Sequence, residues 1–386
     1  MAENPPAPGG LSLEFYPLWV SACGSFCMRP LAGRINQSMT FRGMRVRFIP
    51  ILIVGLALVS PVSGHHSDAA LDMESLVIHE GTLTEFSLRN PHTYFSIETT
   101  NERGEAIEWT IQMGSAANAR RRGWTPDTLQ LGDRVTFSAH PARDGRPYGL
   151  FEWIRNADGI ELPIADGGAT LVAATTASVE GIWTADRSRL VDYPGGLDQL
   201  TRRDLSLTPR AGAAMAAYDE TTAENPELSC VGRPTPGPII YTDLYPMQIQ
   251  FNEAEQTVLL KVQYFDSERV VYMDGRDHPD PSERFFDGHS IGRWEGDVLV
   301  VDTRNFEDHR SPYQNGIPSG AQKYVVERYR LSEGGTHMAV EFTLEDPEYI
   351  VGSMTHRREL IYSPDMDMSP FDCDLESTRR FVPDNN

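Results

Sequence analysis

Residues Gly288 to Thr303 read GHSIGRWEGDVLVVDT, and their pattern is that of a β-hairpin. Ser290 to Trp294 supplies one arm, Glu295-Gly296-Asp297 the reversal, and Val298 to Thr303 a β-branched second arm. The preceding loop, Asp274 to Gly288 (DGRDHPDPSERFFDG), is dense in Asp, His and Arg. Polar side chains therefore collect at the base of a rigid apolar element. The adjacent Phe285 and Phe286 argue that this loop is ordered, since two neighbouring aromatics are costly to leave in water.

Outward from the hairpin the same grammar repeats. Met247 to Phe251, Thr257 to Phe265, Arg269 to Met273, His289 to Trp294, Val298 to Phe306, Lys323 to Leu331, His337 to Leu344 and Thr355 to Tyr362 all read as extended. Their short joints suit antiparallel hairpins, and Gly181-Ile182-Trp183 opens the series. One helical stretch, Arg210 to Tyr218, follows Pro209. Residues 179–386 are thus expected to form a lipocalin-like antiparallel barrel or curved sheet of about eight strands.

The front half has a different order. Strands at Val77 to Glu85, Thr93 to Thr99 and Ala106 to Met113 precede a helix at Ser115 to Arg122, with strands Arg134 to His140 and Tyr148 to Arg155 after it. Three strands, a helix and two strands is the order of an OB-like five-stranded barrel, placed at residues 65–165. Residues 166–178, rich in Gly, Ala and Thr, make the linker. The fold class expected is mainly β.

The start of the chain reads as an address. Arg42, Arg45 and Arg47 precede the apolar run Phe48 to Val59 and a small-residue exit ending at Gly64, the anatomy of a signal peptide at residues 44–64. Residues 1–43 are then an over-long, disordered start. The apolar run is too short for an ordinary membrane span, so no stable membrane insertion is expected once it is cleaved. A periplasmic or secreted location follows. Cys23 and Cys27 leave with the leader, and Cys230 and Cys373 are expected to pair across the second domain. The net charge of −21 repels phosphate backbones and argues against a nucleic-acid partner. Arg120-Arg121-Arg122 reads as a solvated helix face.

Three kinds of chemistry are on offer. Gly288-His289-Ser290-Ile291-Gly292 matches the nucleophile-elbow pattern, but the strand-to-helix context that makes Ser290 a nucleophile is missing. An acid–base set is available in Asp274, His278, His289, Glu295, Asp302 and His309, with Ser290 beside them, because an imidazole near a carboxylate can shuttle protons. Trp294, Arg276, His278, Arg293, Phe285 and Tyr272 are candidates to contact a small-molecule ligand, with Trp294 in the wall of a pocket and His289 and Asp274 at its mouth. Metal binding is the third. Cleavage after Gly64 gives His65 both a free α-amine and an imidazole, to which His66 or His92 adds a nitrogen, a donor set that suits copper. His278, His289 and His309 match no recognised ligand spacing. Taken singly, each of these residues has a plainer reading as a turn, an ion pair or a cap.

Gly288 to Thr303, with Tyr272-Met273-Asp274-Gly275-Arg276 before it and Val326-Glu327-Arg328-Tyr329 after it, resembles a family of secreted bacterial proteins bearing GHSxGxWEGDTLVVDT. Val298 stands where that family usually has Thr. The front half, with His65-His66-Ser67, Asn90-Pro91-His92, Gly123-Trp124, Leu131-Gly132-Asp133 and Ala142-Arg143-Asp144-Gly145, resembles small exported domains of unknown function. Neither resemblance brings a mechanism. The expectation is a small-ligand binder, with a proton-transfer enzyme and periplasmic copper binding as the alternatives. Oligomeric state is not legible.

Overall fold

Period-2 alternation of apolar residues governs both halves, and in the computed structural model both close into barrels. The structure describes residues 70–163, 174–186, 205–219, 221–308 and 316–382. The expected signal segment, His65, His66 and His309 lie outside the described residues.

The first barrel uses β1 (Val77–Ser87), β2 (Thr93–Thr100), β3 (Ala106–Met113), β4 (Arg134–Pro141) and β5 (Tyr148–Arg155), with β6 (Glu161–Leu162) appended. Antiparallel ladders run β3-β2-β1-β4-β5, and a short parallel pairing of Thr110 to Gln112 with Tyr148 to Leu150 closes the ring. Helix α1 (Ala116–Arg121) lies between β3 and β4 as expected; the Ser115 side chain caps it by accepting from the Asn118 amide at 3.2 Å. Phe95, Ile97, Ile111, Trp124 and Phe137 fill the interior.

The second barrel has nine strands: β7 (Gly181–Ala185), β8 (Met247–Asn252), β9 (Thr257–Val262), β10 (Ser267–Tyr272), β11 (His289–Glu295), β12 (Val298–Arg304), β13 (Tyr324–Ser332), β14 (His337–Glu345) and β15 (Ser353–Tyr362). Each strand pairs with its sequence neighbour, and β15 returns to β7. An odd ring of sequential neighbours cannot alternate direction all the way round, so one pair must be parallel. That pair is β10–β11, joined only at Val271–Ser290 and Tyr272–Ile291. The antiparallel order expected from sequence breaks there, because the long loop after β10 carries the chain back to the starting end.

The interior is filled by side chains including Trp183, Ile249, Val271, Leu299, Val301, Val340 and Leu360. Trp183 is fully buried and donates its indole N–H to the Val179 carbonyl at 2.9 Å. Helices α2 (Pro209–Ala217) and α3 (Gly237–Ile240) lie in the long β7–β8 connection, and all four residues of α3 are buried.

Both barrels belong to one compact unit, residues 61–386. Two elements tie them together. Arg121 on α1 donates to Gln263 Oε1 and to the Leu244 carbonyl of the second barrel, each at 2.7 Å. This corrects the reading of that helix face: Arg120 and Arg122 are exposed, but Arg121 is half-buried and clamps the barrels. The other tie is the segment after β15, a strap that returns to the first barrel. Cys373 on the strap is bonded to Cys230. Just beyond it, the Asp374 amide donates to the Asn90 carbonyl at 2.7 Å, Ser377 Oγ to the His92 carbonyl at 2.7 Å, and Arg380 pairs with both oxygens of Glu85. The expected cystine is present, and it anchors a strap shared with the first barrel rather than the two ends of the second alone.

Candidate functional site

Alternation along β11 and β12 sorts the hairpin's side chains to two faces. Ser290 pairs with Thr303, Gly292 with Val301 and Trp294 with Leu299 on the inner face, whereas His289, Ile291, Arg293 and Glu295 point outward. The outward set at the β11 start meets the returning loop, and there a chain of titratable groups forms.

His278, carried by the loop, holds its Nε2 3.0 Å from Asp302 Oδ1 and its Nδ1 3.0 Å from Nδ1 of His289. Asp302 also accepts from the Tyr324 hydroxyl at 2.7 Å and from Arg304 Nε at 3.0 Å. Burial works against ionisation of Asp302, yet the hydrogen bonds from Arg304, Tyr324 and His278 hold its carboxyl below the usual range. An ionised Asp302 requires the N–H of His278 on Nε2. His278 Nδ1 must then accept, His289 Nδ1 must donate, and the lone pair of the chain falls on His289 Nε2. Burial, followed by the neighbouring His278 and Arg276, lowers the pKa of His289 and keeps that lone pair free. A proton arriving at Nε2 can be passed across the 3.0 Å gap to His278, where the cation lies against Asp302.

The surrounding wall is aromatic. Tyr272 stacks on the His289 ring at 5.1 Å, Phe285 stands 6.1 Å away and is 40% exposed, and the Arg276 guanidinium lies 3.9 Å over Tyr272. Asp274 fixes Arg276 through bonds of 2.9 and 2.6 Å. The loop is pinned by Asn305, whose amide donates to the carbonyls of Pro279, Asp280 and Glu283 and whose own carbonyl accepts from the Phe285 amide.

His289, His278, Asp302, Tyr272, Arg276, Asp274 and Phe285 therefore come together. Other expected members do not join them. Glu295 sits at the far end of β11, roughly 20 Å away at 3.3 Å per residue, and is paired with Arg293 and Arg328. Trp294 is at that same far end on the opposite face, against Phe251. Ser290 points inward to Arg269 Nη1 at 2.8 Å and Thr303 Oγ1 at 2.9 Å, in an antiparallel strand with no helix behind it. His92 lies between barrel and strap, where burial pushes its imidazole down to about 4. Among the described residues, no group of three His, Cys, Asp or Glu side chains is placed to hold a metal ion.

A second polar assembly, inside the barrel, was not foreseen. Arg269 forms a two-pronged pair with Glu327 at 2.8 and 2.6 Å, and Glu327 also accepts from Tyr329. Lys323, beneath the Phe306 ring, donates to the Thr235 carbonyl at 2.7 Å, and burial pushes its ammonium down to about 7. A signal was available: Glu327 shares its alternation phase with Val325 and Tyr329, and Arg269 shares one with Val271, so both had to face the core.

A family of unknown function (DUF6152) matches residues 54–152, which takes in the first barrel as far as β5. No curated protein matches the chain.

Proposed function

We propose that the chain is an exported enzyme of proton-transfer chemistry, a hydrolase, isomerase or lyase, acting on a small planar molecule at the outer wall of the second barrel. His289 Nε2 is its general base and acid, and His278 with Asp302 stores the charge. The observation that carries this is the continuous hydrogen-bonded chain Asp302–His278–His289, which leaves one nitrogen open. Tyr272 and Phe285 form the stacking shelf, with the Asp274-held Arg276 at its edge. Export is supported by the basic–apolar–small pattern at residues 44–64 and by the Cys230–Cys373 cystine.

The test is turnover of a panel of small aromatic esters and carbon acids by the purified protein. The rate should rise with pH through an apparent pKa below the ordinary histidine value, and His289→Gln should lower kcat by about 100-fold or more. A panel untouched by the wild type, or undiminished turnover in the variant, would overturn the reading. Binding without turnover is the runner-up, favoured by the exposed Phe285 on that shelf. A small molecule co-purifying equally with wild type and His289→Gln would support it instead.

A further inference from the structure

We propose that the Cys230–Cys373 cystine is a thiol-exchange site, open to low-molecular-weight thiols, whose reduction loosens the strap from the first barrel. This is independent of the chemistry assigned to His289.

A cavity of about 190 Å³ opens directly on Cys373, with Arg89, Arg120, Asp372 and Asp374 among its walls. Both cysteines are half-buried, Cys373 at the edge of the second barrel's core. The backbone beside each sulfur is held in the left-handed region by a residue other than glycine, Cys230 at φ 58° and Asp372 at φ 51°. Exposed or strained cystines are the ones that exchange readily. Arg89, paired with Asp374 and Glu376, and Arg120 offset the carboxylates of Asp372 and Asp374, so an approaching thiolate meets both signs of charge at the cavity wall.

In the first step the thiolate attacks Cys373 Sγ, forming a mixed disulfide there and releasing the Cys230 thiolate. A second thiolate then attacks the sulfur of the small thiol, giving its symmetrical disulfide and the Cys373 thiolate. Two thiols supply the two electrons. What remains on the strap is a row of polar contacts, Asp374 to Asn90, Ser377 to His92 and Arg380 to Glu85, and the packing of Phe381 against Tyr94 and its apolar neighbours, with no covalent tether at its entrance.

The experiment treats the intact protein with free cysteine without denaturant, traps thiols with a maleimide, and follows amide exchange by mass spectrometry. Cystine opening should proceed at a rate first order in thiolate and within about tenfold of that of a small-molecule disulfide. Exchange at residues 374–382 should then rise by about tenfold or more while β12 to β15 keep their protection. Opening that requires urea would overturn the site. An unchanged strap, or protection lost throughout β12 to β15, would overturn the latch. The Cys230→Ser/Cys373→Ser variant should show the fast strap with or without cysteine, and the wild-type titration decides alone if that variant does not fold.

Discussion

Asn305 is the residue on which the outer site turns. It sits at φ 60°, a conformation that Asn tolerates better than most side chains, and its amide spans three carbonyls of the loop that delivers His278. Asn305→Gly keeps the backbone angle but leaves those carbonyls without their donor, which should cost about 1–2 kcal/mol in urea unfolding. Asn305→Ala should cost roughly 1 kcal/mol more, because it adds strain at positive φ. Equal losses would show that the backbone angle contributes nothing there and that the lost donor accounts for the whole effect. His278, His289 and Asp302 were legible as chemistry-bearing types in sequence. Their order along one hydrogen-bonded chain was not, because residues 11 and 24 positions from His278 meet it only after the loop has folded back.

At the level of the element, the hairpin was readable in detail and the parallel junction beside it was not. Alternation and a Glu-Gly-Asp reversal specify β11 and β12 locally. The β10–β11 pairing follows from closing nine strands into a ring, a count that no single element contains. The two glycines bounding β11 show the contrast. Gly296, in the reversal, has φ 66° and open space around it, whereas a Cβ on Gly288, at φ 72°, would stand 2.8 Å from the Arg304 carbonyl oxygen and 2.7 Å from Thr303 Cγ2. Gly296→Ala should lose about 1 kcal/mol of stability, for the angle alone. Gly288→Ala should lose roughly 2–4 kcal/mol, since strain and a backbone clash add. Urea midpoints for the pair, compared at equal slope, measure the difference.

Across the whole molecule, the strap makes the stability of the two barrels interdependent and gives it a pH signature. His92 is held neutral: burial depresses its pKa to about 4 from 6.5, with Glu227 working the other way. The unfolded chain therefore takes up this proton first as the pH falls. Stability is full above about pH 6.5 and declines until about pH 4, by about 3 kcal/mol for this group. Unfolding free energies at pH 7 and pH 4 should differ by that much less in His92→Gln than in the wild type. A parallel pH dependence in the two proteins would mean that His92 is not buried against the strap.

Local pattern along the chain is enough to specify the two β-rich halves, the single helix of the first barrel, the hairpin and its turn, and the chemical character of the loop before it. These depend on contacts between near neighbours, and period-2 alternation, glycine turns and local polarity encode them directly. Folding of the whole chain is what brings His278 to Asp302, turns Ser290 and Glu327 inward onto Arg269, and returns the residues beyond β15 to clamp the first barrel. Each is a meeting of residues distant along the chain, set by ring closure and burial, and a linear pattern carries no record of which distant partners the closed ring brings into reach.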